Sequence, residues 1–250
     1  MTPAVRSASM PPGARRGASL FVAVLFGLCL VLPAGPAVAA GPTAEARQPL
    51  VMLMRSHVVR AHPDASARRV EAVPARTPLT WVRTVLPVLG QAEGRKGGSW
   101  LRVRLPGRPN GHAGWISTRR TKRSMTSWQL SLDLSSRRLT VYRSGSVSRT
   151  FLAVVGKSST PTPRGRFFIE EALALSAGAA GGPFALATSA RSNVLHEFEG
   201  GPGQIAIHGT NHLSGALGTA VSHGCVRLGT RAINWMARRI GGGVPLTIRR

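Results

Sequence analysis

Two cysteines in 250 residues are too few for a disulfide scaffold or a four-cysteine zinc site. Acids are scarce as well: 9 Asp plus Glu stand against 33 Lys plus Arg, a formal net charge of +24. Charged residues of either sign make up only 17 %, while glycine and proline number 29 and 18. That balance excludes a long helical bundle and predicts turns and strands. There is no tandem repeat. What is present in quantity is apolar residues, 43 % of the chain, enough to exclude a wholly disordered polymer despite the charge. A surplus of +24 suits a nucleic-acid binder, a cationic surface protein, or a protein that works among anionic polymers. Composition does not choose between them.

No apolar run reaches the roughly 20 residues of a membrane-spanning helix. The nearest is the stretch Ala18–Leu32, fifteen residues without a charge. It follows Arg6, Arg15 and Arg16 and precedes the small residues Ala37-Val38-Ala39. A basic start, a short apolar core and a small-residue exit are the layout of a secretory signal peptide, predicted here over residues 1–40 with cleavage near Ala39 or Ala40. Cys29 lies inside the apolar core behind Leu28, an unsuitable place for lipidation. Cleavage would remove three arginines and no acid, leaving 30 − 9 = +21, and would leave Cys225 as the only thiol. A lone thiol in an oxidising compartment needs a reason to be there.

Residues 48–118 show short apolar runs separated by turn signals: Leu50–Met54, Leu79–Val82, Trp100–Leu105 and Gly114–Ile116. Trp100 to Leu105 alternates as a half-buried strand does, and the dense turn Pro106 to Gly111 leads into the next one. The spacing predicts a small β-barrel. With Trp100-Leu101-Arg102-Val103 and the closing Gly114-Trp115-Ile116, the segment resembles the bacterial SH3-like domains of exported wall enzymes. Arg119-Arg120-Thr121-Lys122-Arg123 then reads as a solvated basic linker, 119–126, and a second domain is predicted over 127–250.

The second domain is again mostly strands. Leu130, Leu132 and Leu134 alternate with polar residues, and Leu139–Tyr142, Phe151–Val155, Phe167–Ile169, Gln204–His208 and Val244–Ile248 read as further strands. Between them lie a proline-bearing loop, Gly156 to Gly165, and an Ala/Gly-rich loop, Ala172 to Pro183, expected to be mobile. One helix is predicted, with Thr230 as N-cap, Ile233, Met236, Ala237 and Ile240 on one face, and Gly241 as its end.

Chemistry concentrates in His208-Gly209-Thr210-Asn211-His212 and Ser222-His223-Gly224-Cys225-Val226-Arg227-Leu228. A cysteine nucleophile needs a base, a group that orients the base, and room for a carbonyl. His208 ends an apolar strand that can fix an imidazole. Gly209 and Gly224 allow sharp turns and close approach of a substrate. Backbone N–H groups around Gly224 and Cys225 could face a developing oxyanion. Two other readings compete. His208 and His212 could ligate a metal together with Cys225, but their i, i+4 spacing aligns rings only on a helix, and Ile205 to His208 reads as a strand. An inert core thiol would want apolar neighbours, which Ser222, His223 and Arg227 are not. The residues favour a cysteine–histidine acyl-transfer site with no metal and no cofactor.

This constellation resembles the L,D-transpeptidases of the YkuD family, whose signature is an upstream histidine followed by [S/T]-H-G-C. The resemblance runs from Ser127 to about Arg249 and rests on His208-Gly209-Thr210, on Ser222 to Leu228, and on the T-P-T-P-x-G-x-F run at Thr160 to Phe167. It implies a YkuD-type β-sandwich or barrel with Cys225 as nucleophile and His208 as general base and acid. The Gly209 carbonyl would orient the imidazole. His223, Gly224 and the Cys225 amide would shape the oxyanion pocket, with Ser222 supporting. Arg227 stands where some members have asparagine; it and Thr210 are candidate substrate contacts. The implied partners are peptidoglycan stem peptides, a tetrapeptide donor and an amine acceptor, which would be joined as a 3→3 cross-link. Water as acceptor would make a carboxypeptidase instead.

NlpC/P60-type peptidases place cysteine before histidine, the reverse of the order here. Sortases separate their histidine and cysteine by more than the 225 − 208 = 17 residues of this chain and carry a T-L-x-T-C motif absent here. A cationic wall-binding module without activity is a further alternative. The charge also finds a place in this reading. Residues 41–126 hold 16 basic and 4 acidic residues and residues 127–250 hold 14 and 5, surpluses of +12 and +9. Such an even spread on an exported chain points to anionic cell-envelope polymers rather than nucleic acid. The oligomeric state is not legible.

Overall fold

The computed structural model describes residues 45–95 and 97–250; the signal-peptide expectation for 1–40 lies outside the described residues. The described chain is mainly β with one helix, as the composition predicts. Seven strands build the first sheet: β1 (Gln48–Leu53), β2 (His57–Arg60), β3 (Arg69–Val73), β4 (Val85–Glu93), β5 (Ser99–Arg104), β6 (Ala113–Ser117) and β7 (Thr121–Thr126). They lie in the order β3-β2-β6-β5-β4-β1-β7, with every pairing antiparallel. Alternating side chains enter one core: Val51 and Leu53 from β1, Val59 from β2, Leu101 and Val103 from β5, and Ile116 from β6.

Two features of this half differ from expectation. Residues 119–126, read as a linker, contain β7, which pairs along its whole length with β1 from Gln48↔Thr126 to Leu53↔Thr121. Lys122, Arg123, Ser124 and Met125 are exposed, so the segment is solvated; charge on a sheet edge discourages further strand pairing without preventing this one. The apolar run Leu79–Val82 is not a strand: Leu79 and Thr80 lie in a turn and Trp81 and Val82 have no regular structure. Pro78 restricts the residue before it, and the Thr80 amide and hydroxyl both donate to the buried Glu171 carboxylate, at 2.8 and 2.6 Å. Trp81 is left 70 % exposed on a positive φ of 57°.

The second sheet comprises β8 (Trp128–Asp133), β9 (Arg138–Arg143), β10 (Ser146–Leu152), β12 (Gly165–Ala174), β13 (Phe184–Arg191), β14 (Gln204–His208), β16 (Val226–Arg227) and β17 (Pro245–Arg249); β11 (Val155–Gly156) and β15 (Ala220–Ser222) pair separately and in parallel. The order is β10-β9-β8-β17-β12-β13-β14-β16, antiparallel except for the β8–β17 and β14–β16 pairs. Strand β13 has no counterpart in the sequence reading. Its core run of five buried residues, Leu186 to Ala190, is packed on both faces and shows no alternation to detect. The helix α1 (Thr230–Ala237) sends Ile233 and Met236 into the core beneath β13. Its N-cap is Gly229, not Thr230, with no side-chain cap, and the Thr230 hydroxyl faces Asn211 Oδ1 at 3.4 Å. The helix also stops at Ala237, short of Gly241: the Arg239 and Ile240 amides both donate to the Met236 carbonyl, at 2.9 and 2.8 Å, and the Gly243 amide then donates to the Ile169 carbonyl at 2.8 Å on the way into β17.

Candidate active site

Strand β14 alternates strictly: Ile205 and Ile207 are buried, while Gln204, Ala206 and His208 are half-buried. Its parallel neighbour β16 is registered Ile207↔Val226 and His208↔Arg227. Val226 therefore joins the two isoleucines in the core. Period-two geometry puts Cys225, Arg227, Ala206 and His208 on the opposite face of this strand pair. Burial of three apolar side chains on one side thus positions thiol, imidazole and guanidinium on the other.

The cysteine enters β16 from a tight turn. The Ser222 hydroxyl, fully buried, donates to the Cys225 carbonyl at 2.6 Å and accepts from the Gly224 amide at 3.1 Å. Gly224 has φ +122°, a conformation that L side chains rarely adopt. The proline-bearing loop holds this turn from outside. Thr160 Oγ1 donates to the Ser222 carbonyl at 3.2 Å and Thr162 Oγ1 to the Gly224 carbonyl at 2.8 Å, while the Lys157 amide also reaches the Ser222 carbonyl. Both threonines are buried. The T-P-T-P run is thus a clamp on the turn that carries Cys225. We expect Thr162→Val to leave the Gly224 carbonyl without this partner and to lower stability by about 1–3 kcal/mol, measurable by urea unfolding.

His208 Nδ1 lies 2.8 Å from the Gly209 carbonyl. A carbonyl only accepts, so in the neutral ring Nδ1 carries the proton and Nε2 has the free lone pair. Burial pushes the His208 pKa below the ordinary imidazole value; the Gly209 carbonyl opposes this and the Arg227 charge adds to it. Burial likewise pushes the Cys225 thiol above its ordinary value, partly offset by the Ala206 amide that donates to Sγ at 3.4 Å and by the charge of Arg227. The resting pair is therefore a neutral thiol and a neutral imidazole, with no direct hydrogen bond between them among the described residues.

The remaining sequence candidates are dispersed around this pair. Arg227 anchors Nη1 on the Ser214 carbonyl at 2.7 Å. His223 is exposed, its ring 5.6 Å from that of Phe198. Thr210 follows Gly209 into a turn that the Leu213 amide closes on the Thr210 carbonyl at 3.0 Å. His212 is exposed on that turn with φ +54°. Among the described residues, no group of three or more His, Cys, Asp or Glu side chains is placed to hold a metal ion.

The stretch expected to be a mobile Ala/Gly-rich loop supplies residues the sequence reading missed. Strand β12 continues through it to Ala174, and the following turn presses on His208. The Gly209 amide donates to the Gly181 carbonyl at 2.7 Å, and the Gly181 amide to the Asn211 carbonyl at 2.8 Å. A Cβ on Gly181 would lie 2.5 Å from His208 Nδ1, and one on Gly209 would meet the Gly182 carbonyl. The adjacent glycines are visible in the sequence, but not that a sequence-distant imidazole needs their space. Gly181→Ala should displace the His208 ring and slow acyl transfer by about 10²-fold, read as the rate of covalent acylation.

Residues 129–248 match the family model of the YkuD L,D-transpeptidase catalytic domain. The chain is 31 % identical over 121 residues to the YkuD protein of Bacillus licheniformis, named as an L,D-transpeptidase, covering 48 % of this chain and 65 % of that one. It is 28 % identical over 123 residues to the corresponding Bacillus subtilis protein, covering 49 % and 66 %. It thus spans less than two thirds of the length of these relatives. A solved L,D-transpeptidase structure from Mycobacterium tuberculosis aligns with a TM-score of 0.41 at 15 % identity, over 64 % of this chain and 92 % of that one. The segment that carries the Cys225–His208 face is thus the one that is similar to the YkuD L,D-transpeptidase catalytic domain.

Proposed function

We propose that this protein is an exported peptidoglycan L,D-transpeptidase that forms 3→3 cross-links through a thioester on Cys225, with His208 as general base and acid. The observation that carries the reading is the shared face of β14 and β16, which holds Cys225 against Ala206 and, two residues further along β14, an imidazole with a free Nε2. His208 Nε2 takes the thiol proton as Sγ attacks the carbonyl carbon of the third stem residue. The oxyanion forms beside the nucleophile turn. The Gly224 amide is engaged by Ser222, which leaves the His223 and Cys225 amides as its donors in this reading. The Nε2 proton passes to the departing amine of the terminal D-alanine, and the thioester remains. An incoming amine then attacks the thioester while His208 accepts its proton, and Cys225 leaves as thiol.

The neutral resting pair sets the pH dependence. His208 works as a base only when unprotonated, and burial lowers its pKa. The acid limb of the acylation rate should therefore lie below the ordinary imidazole value of about 6.5, with activity retained as pH rises through neutrality. A limb centred above that value in a single-turnover pH profile would contradict the assignment.

The same reading makes residues 48–118 an SH3-like domain beside a catalytic domain at 127–250, and the signal-like residues 1–40 an export address. The cationic surplus would draw the protein to anionic envelope polymers, and high salt should weaken retention on isolated walls. The function itself is tested by incubating the protein with isolated sacculi and digesting the product. Peptide dimers linked 3→3 are expected. Trimmed tripeptides alone would make it an L,D-carboxypeptidase, and unchanged wall with bound protein a binding module.

A further inference from the structure

The loop 192–203 passes beside the nucleophile turn, where the Phe198 ring stacks at 5.6 Å on that of His223, two residues before Cys225. Cys225 itself is half-buried. The loop itself has little apolar anchorage: Val194 and Phe198 are 50 % and 39 % exposed.

Its hold comes from the seven-stranded sheet. Arg108, on the turn between β5 and β6, spreads its guanidinium over three carbonyls of the loop: Nη2 donates to Ser192 at 2.7 Å and Leu195 at 3.3 Å, and Nη1 to Pro202 at 2.9 Å. Asn110, two residues on, pairs in both directions with the Arg191 backbone, at 2.7 and 2.8 Å, and reaches Asn193 Oδ1 at 3.0 Å. The Ser192 amide meets the Gly203 carbonyl at 2.8 Å, which draws the two ends of the loop together. A planar fork with several fixed donors suits such a junction of carbonyls in a way an ammonium group does not.

We propose that Arg108 is a positioning residue for the Cys225 site: it fixes loop 192–203 as a strap over the nucleophile turn, so that the seven-stranded sheet sets access to the thiol. The contacts lie at the two ends of the strap, and Phe198 transmits them to His223 near its middle. The strap also brings Glu199 into electrostatic reach of both Cys225 and His208. Release of the strap would expose Sγ and remove a wall from the donor site. The catalytic consequence rests on the acyl-transfer reading, whereas the accessibility of the thiol does not.

The full chain, Arg108→Ala, Phe198→Ala and the double variant are treated with iodoacetamide, and modification of Cys225 is followed on the tryptic peptide that ends at Arg227. Each single variant should be alkylated about tenfold faster, for Arg108→Ala the equivalent of losing roughly one to two of the strap's net hydrogen bonds. The double variant should be no faster than the faster single, because both changes free the same segment. Phe198→Ala leaves the contact between the sheets untouched and guards against misfolding of the Arg108 variant. With a stem tetrapeptide, both should raise KM by about tenfold and leave kcat little changed, as expected when a binding wall rather than the chemistry is lost. Alkylation of a cooperatively melting Arg108→Ala protein at the unmodified rate, or singles that multiply in the double, would overturn the proposal. Failure of the unmodified protein to turn over the peptide would instead remove the acyl-transfer reading and leave the alkylation result standing.

Discussion

Cys225→Ala protein incubated with a carbapenem gains no mass, whereas the unmodified chain gains one adduct. A β-lactam is a strained amide that any competent nucleophile opens, so this outcome isolates the first acyl transfer from the identity of the wall acceptor. The expected loss is about 10⁴-fold or more, the scale seen when a covalent nucleophile is deleted. The structure also predicts that the variant stays folded. Cys225 faces away from the Ile205, Ile207 and Val226 core, and the turn that carries it is held by Ser222, Thr160 and Thr162 rather than by the thiol. An adduct that survives Cys225→Ala would place the reactive group elsewhere.

The second large effect concerns His208. Replacement by alanine should slow carbapenem acylation by about 10²–10⁴-fold, the contribution of a positioned general base. A second measurement separates two ways in which an imidazole can help a thiol. In a resting ion pair, loss of the histidine would sharply reduce thiolate content and hence iodoacetamide reactivity at neutral pH. Here the thiol is held above and the imidazole below its ordinary pKa, each chiefly by burial. His208→Ala should therefore leave alkylation of Cys225 nearly unchanged while acylation collapses. Equal loss of both rates would indicate an ion pair and contradict the neutral resting state. If His212→Ala were as damaging, and a chelator removed activity, the two histidines would have to be reconsidered as metal ligands.

Much of this site is legible in the amino-acid sequence, for a physical reason. The alternation of Gln204 to His208 and the Cys225 thiol in a glycine-bearing segment are local features, and local features survive in one dimension. What is not legible depends on contacts between distant segments. Gly181 faces His208 only because β12, β13 and β14 are neighbours, and five consecutive buried residues in β13 carry no periodicity to announce that strand. The Thr160 and Thr162 loop is recognisable as a motif, but its work as a clamp on the carbonyls of Ser222 and Gly224 emerges only from the folded arrangement. Arg119 to Arg123 shows the limit from the other side. A basic run is solvated whether it is a linker or an edge strand, and composition cannot tell the two apart. Glu171 likewise makes a turn of Leu79 and Thr80 in the apolar run at Leu79 to Val82, by reaching Thr80 from a strand some ninety residues later.

The central claim, that Cys225 becomes acylated by the donor stem, is tested most directly by mass spectrometry of the full chain quenched in acid during turnover of a stem tetrapeptide. The expected result is an enzyme heavier by the tripeptide acyl group, with free D-alanine in the supernatant and the added mass on the tryptic peptide that spans residues 192–227. Turnover of the peptide with no acyl-enzyme at any time point, or an acyl group carried by another peptide, would contradict it.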